Sequence, residues 1–135
     1  MARRGDSFII ALEETHLGWG THRYTNTRDR VYGEGYLKVK ATDARRIGIY
    51  NSNKNNGEDI LGVNIFKCNS SDGFLKNVLL KASGCKEAGD EYAKNLHGLG
   101  DLKLLGRWFT YINAQVGDQI RVIWTSPNDI ILERI

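Results

Sequence analysis

The feature that most constrains the fold is a period-two alternation of apolar and polar residues in short runs, clearest in "VGDQIRVIWTSPNDIILERI" at Val116–Ile135. Successive side chains on a strand point to opposite faces, so Ile120, Val122 and Trp124 line one face. The turn signal "SPND" then lets "IILERI" return as the second strand of a hairpin. The same period recurs in "GYLKVKA", with Tyr36, Lys38 and Lys40 on one face and Leu37, Val39 and Ala41 on the other. That pattern predicts a half-buried strand whose wet side is basic. "ILGVNIFKCN" and "FLKNVLLKASG" are β-rich runs flanking "SSDG" and are expected to pair antiparallel. "SFIIALEE", Ser7–Glu14, reads as a first strand, although its Ala-Leu-Glu-Glu end also suits a helix.

Helical signals are short. In "TDARRIGI", Thr42 is a candidate N-cap, Asp43 sits where the helix dipole favours a carboxylate, and Gly48 is a stop. "YNSNKNNGED" is polar and Asn-rich and reads as a turn. Further on, Tyr92, Leu96 and Leu99 can share a face, and Asp101 can cap a turn running through Leu104 to Trp108. "GRWFTYI" fits a strand or a helix. The fold class expected is mostly β: an antiparallel pseudobarrel of about seven strands with two or three short α-helices, because closure removes exposed strand edges. With 135 residues, 41% of them hydrophobic, residues 1–135 are expected to form a single domain with its own core.

The sequence argues against several function classes. It has no GxSxG elbow, Walker loop, strand–GxGxxG–helix or HExxH pattern, so no catalytic residue is nominated. His16, His22 and His97 are scattered, and Cys68 and Cys85 lack CxxC spacing, so neither a metal, a cofactor nor a disulfide framework is expected. The cysteines are expected to be reduced structural thiols. No run of about 18 apolar residues is present, and the N-terminus does not read as a signal peptide, so a cytoplasmic location without membrane partners is expected. A metal-dependent nuclease stays open as an alternative, because "EGYLKVK" can be forced into an acid–lysine pattern through Glu34 with Lys38 or Lys40.

The charge is unevenly placed. From His16 to Ile47 seven lysines and arginines face three acids, a local excess of +4 in a chain whose formal charge is +3. Within this stretch, residues 21–30 read Thr-His-Arg-Tyr-Thr-Asn-Thr-Arg-Asp-Arg. Lysine and arginine attract phosphates whatever the sequence, whereas arginine, asparagine and threonine read base edges by fixed donor and acceptor geometry. This loop is therefore the candidate nucleic-acid contact. Lys38, Lys40 and Arg28 are assigned mainly to phosphates, and Arg23, Thr25, Asn26 and Arg30 to bases. Trp19, Thr21, His22 and Tyr24 are further candidate contacts. The aromatics Trp19, Tyr24 and Tyr32 also allow an alternative in which unpaired bases of single-stranded nucleic acid or RNA stack on them. Protein- or carbohydrate-binding barrels are the bland alternative.

The order of these parts, with "GWGTHRYTNTRDRVYGEGYLKVKATDARRIGI" at one end and "VGDQIRVIWTSPNDIILERI" at the other, resembles the DNA-binding pseudobarrel of the B-three type. That fold occurs in plant transcription factors and in the target-recognition domains of bacterial restriction endonucleases, and the Trp-Gly opening looks most like the endonuclease branch. Pieces also resemble swapped-hairpin bacterial regulators, but their separation within one chain suits a monomeric barrel. The resemblance implies sequence-specific binding of double-stranded DNA in a restriction or defence system, with two arms gripping the major groove. The first arm would be Thr21 to Arg30. The second would fall at Lys81 to Gly89, with Ser83 and Lys86 as contacts, although Glu87 makes it less basic. Any cleavage would come from a nuclease subunit or domain acting as partner.

Overall fold

In the computed structural model, which describes residues 2–17, 34–52, 59–84 and 91–135, seven strands form one mostly antiparallel, barrel-like sheet among the described residues. Strand β1 (Ser7–Ala11) is followed by a one-turn helix α1 (Glu14–Leu17), and the short β2 (Leu37–Lys38) runs into α2 (Ala41–Ile47). Then come β3 (Ile65–Ser70), β4 (Val78–Ser83), β5 (Asn95–Gly98), α3 (Leu104–Tyr111), β6 (Gln119–Ser126) and β7 (Asp129–Arg134). The strand order is β1-β6-β7-β3-β4-β5-β2.

The alternation places the core as expected. Ile120, Val122 and Trp124 on β6 and Ile130 and Leu132 on β7 are fully buried, and the two strands pair antiparallel across the "SPND" turn. Trp124 meets Phe66 edge-on at 5.5 Å and Phe8 at 6.1 Å, so β1, β3 and β6 share one aromatic centre. β3 and β4 form the expected antiparallel pair, with Ile65 opposite Lys81. Cys68 lies in this core as a free thiol, pushed up to about 12 by burial. Cys85 lies outside the described residues.

Several expectations need correction. The sheet is not wholly antiparallel: β7 runs parallel to β3, with Cys68 opposite Ile130. A parallel pair requires a long crossover, and β4, β5, α3 and β6 all intervene. The first strand stops at Ala11 and its acidic end enters α1. Helix α2 starts one residue before Thr42, with Lys40 as N-cap and no side-chain cap, because the extended chain of β2 passes directly into the helix and the Lys40 carbonyl accepts from Ala44 N–H at 2.9 Å. Asp43 does sit in its first turn, and Gly48, at φ +85°, ends it by accepting the left-handed conformation that L-residues resist. Leu96 belongs to a strand rather than a helical face, since β5 is hydrogen-bonded on both sides. Of the two readings left open for "GRWFTYI", the helix is the one formed, through Tyr111.

β1 and β2 are the two edge strands of the sheet, and the short helices next to them contact the edges. Arg46 on α2 donates to the Ser7 carbonyl on the open edge of β1 at 2.8 Å. His16 on α1 sits edge-on to Tyr36, just before β2, with ring centroids 5.0 Å apart. At the far end of the barrel Asp72, in the β3–β4 turn, accepts from Ser70 Oγ, Phe74 N and Trp108 Nε1 at 2.6, 2.9 and 2.8 Å, tying that turn to α3.

Burial would raise the Asp72 carboxyl, but these bonds and the charge of Arg134 outweigh it and hold the group below the usual carboxylate range. A carboxyl depressed in the folded state contributes stability above its unfolded value of about 3.9 and loses it as pH falls through the folded value. Thermal denaturation is therefore expected to show a shallower loss of Tm on acidification for Asp72→Asn than for the wild type. Gly98 ends β5 beneath α3, where a Cβ would stand 2.2 Å from the Asp101 carbonyl oxygen and 2.7 Å from Leu104 Cβ. Gly98→Ala is expected to cost roughly 2–3 kcal/mol in urea unfolding, because backbone blocks the added methyl.

Candidate nucleic-acid interface

The pairing of β2, β5 and β4 sets a polar row on the outside of the barrel. Lys38 on β2 stands opposite Asn95 on β5, and Asn95 stands opposite Ser83 on β4. Directly opposed residues share a face, so Lys38, Asn95 and Ser83 form one outward row, with Lys81 and His97 forming the next. The inward row is Leu37, Leu96 and Ala82, all fully buried. The hydrophobic face of "GYLKVKA" thus pins Lys38 and Lys40 outward, as the alternation requires. Ala41 departs from that pattern, being exposed at the start of α2.

Lys40 keeps an extended backbone, at φ −66° and ψ 145°, and joins Lys38, Lys94, Asn95, Tyr36 and Glu13 around an open recess of about 370 Å³. Neither the Lys38 nor the Lys40 ammonium group has an ion pair or hydrogen bond among the described residues, whereas that of Lys81 is paired with Asp59 at 3.4 Å. Ser83 Oγ lies 3.0 Å from His97 Nε2, and His97 Nδ1 lies 3.2 Å from the Gly98 carbonyl. A ring that donates from Nδ1 to that carbonyl accepts the Ser83 hydroxyl proton at Nε2, which leaves the serine oxygen as an acceptor. Beneath the recess, His16 is buried and its Nδ1 accepts from Glu13 N–H at 3.1 Å. Burial lowers its pKa against the opposing pull of Glu13, and the nearby charge of Lys38 lowers it further.

The chain enters β2 and leaves β4 at opposite ends of this face. β2 and β4 both run antiparallel to the β5 strand between them, so residues 18–33 join the sheet at the Tyr36 end and residues 85–90 join it beyond Ser83. The first junction is fixed by Gly35, whose N–H donates to the Leu102 carbonyl at 3.1 Å and whose Cα packs so close to α3 that a Cβ would meet Gly106 N at 2.7 Å. The second junction is clasped by Asn51. Its buried side-chain oxygen accepts from Gly84 N–H at 2.8 Å, and its own backbone N–H donates to the Glu91 carbonyl at 3.0 Å. Asn51 therefore holds both ends of the 85–90 segment. Tyr50 and Tyr92 stack beside it at 5.4 Å.

Of the nominated contacts, Lys38, Lys40 and Ser83 come together on this one face. Trp19, Thr21, His22, Arg23, Tyr24, Thr25, Asn26, Arg28, Arg30 and Lys86 lie outside the described residues. The sequence reading missed Lys94 and Asn95, which interrupt the alternation between buried Ala93 and Leu96, and it missed His97 and Asn51. Nothing distinguished Asn51 from the other asparagines of its polar stretch, because its partners are distant in sequence. Of the residues in the acid–lysine pattern, Glu34 is buried and Lys38 and Lys40 are exposed, and no cluster of three or more His, Cys, Asp or Glu occurs among the described residues. No helix there is long and apolar enough to cross a membrane. The chain matches no family model, no curated protein and no solved structure.

Removing the Asn51 side chain leaves a part-buried N–H of Gly84 without its acceptor. Asn51→Ala is expected to lower the free energy of unfolding by about 1–3 kcal/mol, measured by urea titration.

Proposed function

We propose that the chain is a sequence-specific double-stranded DNA-binding domain that serves target recognition in a restriction or defence system, with any cleavage supplied by a nuclease partner. The observation that carries this reading is the outward row of Lys38, Asn95 and Ser83, with Lys40 beside it, set between the junctions of residues 18–33 and 85–90. The first nominated arm, Thr21 to Arg30, falls within residues 18–33, and the second, Lys81 to Gly89, begins on β4 and continues into residues 85–90. Lysines without carboxylate partners suit a phosphate backbone, which binds cations irrespective of sequence. Asn95 and Ser83 add amide and hydroxyl groups of the kind that meet sugars, phosphates or base edges.

The division of labour follows from chemistry. Lys38, Lys40 and Arg28 neutralise phosphates and set register. Arg23, Thr25, Asn26 and Arg30, together with Ser83 and Lys86 at the second arm, supply the groups that discriminate bases. The mechanism is binding alone and requires no cofactor.

Fluorescence anisotropy of the purified chain against random-sequence duplex and the matching single strand, titrated through salt and followed by selection of the duplex pool, tests this. Tight duplex binding with an enriched motif is expected. Lys38→Ala is expected to weaken all sequences alike and to reduce the salt slope by about 0.9, while Arg23→Ala relaxes the motif. Failure of the wild type to bind duplex at low salt, or preference for the single strand, overturns the proposal.

A further inference from the structure

The inference deepens the DNA-binding reading and rests on it. Three open recesses follow one another around α2 and share residues at each junction. The recess beside β2 and a second one, lined by Arg45 and Tyr92, have Ala41 and Lys94 in common. The second shares Arg45 with a third, of about 310 Å³, which also holds Arg3, Arg46 and Tyr50. Ala41 and Arg45 stand one turn apart on the same side of α2. The helix thus carries the basic surface from the strands to the N-terminal segment.

Together the recesses hold six cations, Arg3, Lys38, Lys40, Arg45, Arg46 and Lys94, against the carboxylates of Asp6, Glu13 and Glu91. Their excess equals the +3 of the entire chain. The arginines are used differently. Arg46 is committed, donating to the Ser7 carbonyl at 2.8 Å and pairing with Asp43 at 3.0 Å. Asp6 accepts from the backbone N–H of Arg3 at 2.9 Å. Among the described residues, the guanidinium groups of Arg3 and Arg45 have no ion pair or hydrogen bond, whereas Arg107 and Arg121 are paired with Asp101 and Glu133. Exposed guanidinium groups without carboxylate partners present a planar fork that fits phosphate oxygens.

We infer that Arg45 and Arg3 form a second phosphate-binding track, which extends the DNA contact along α2 onto backbone flanking the recognised bases. The ligand is a phosphodiester, so the track adds affinity and register without reading sequence. Neither guanidinium group is tied to another part of the fold among the described residues, so R3A/R45A is expected to unfold near the wild-type temperature.

The test compares wild type and R3A/R45A on two duplexes, one trimmed to the preferred motif and one carrying flanking sequence on both sides. The double variant is expected to lose about 1.8 from the salt slope on the flanked duplex and to bind the trimmed duplex as the wild type does. A wild-type slope on the flanked duplex, or an equal loss on both duplexes, overturns the track. Titration with inorganic phosphate separates the two sources of the same chemistry: a wild-type site that R3A/R45A abolishes with no change in slope assigns the recess to free phosphate and likewise overturns the track. Absence of wild-type binding to either duplex overturns the DNA-binding reading itself, an outcome distinct from binding with an unchanged slope.

Discussion

Closure of the sheet is the constraint on which the rest depends. A seven-stranded sheet has two edges, and the N–H and C=O groups along them need partners or water. Here the strand order brings β1 and β2 to the two edges, and the short helices next to them contact those edges. Arg46 answers the Ser7 carbonyl, and the buried His16 ring packs on Tyr36. β2 is confined to Leu37–Lys38 because the chain turns into α2 immediately after it. The helix that ends one edge strand is the helix whose Arg46 meets the other.

This closure dictates where the polar groups go. With Leu37, Leu96 and Ala82 committed to the core, Lys38, Asn95 and Ser83 have no choice but the outer face. One junction beside that face is held by a close backbone approach and the other by the Asn51 side chain. Gly35 approaches the backbone of α3, and Gly84 lies against Asn51. Such contacts tolerate little added volume, so the positions at which residues 18–33 and 85–90 join the sheet are tightly set. Under the DNA-binding proposal, the strands of this face supply a fixed floor and the connecting segments the discriminating residues.

The candidate site was partly legible before any coordinates. Lys38 and Lys40 were readable because a two-residue period ties their direction to burial of their neighbours. Ser83 came from resemblance, and its bond to His97 joins residues on two strands whose pairing the sequence does not print. Lys94 and Asn95 were not legible because both are at least partly exposed and sit consecutively, which no simple period describes. Arg45 and Arg46 looked equivalent in sequence. The fold separates them, since Arg46 meets Ser7 at the strand edge while Arg45 lines the surface recesses.

By itself, the sequence determined the mostly β class, the closing hairpin, the β3–β4 pair, the stop at Gly48 and the inward face that carries Trp124. Each follows from a local rule: the alternation of side chains, the φ that a turn demands, or the cost of leaving an indole in water. Tertiary structure decided the parallel pairing of β7 with β3, the strand identity of β5, the choice of helix over strand for "GRWFTYI" and the clasp at Asn51. These depend on which edges and backbone groups remain unsatisfied once the other elements have packed. That is a property of the assembled sheet, and no single stretch of chain carries it.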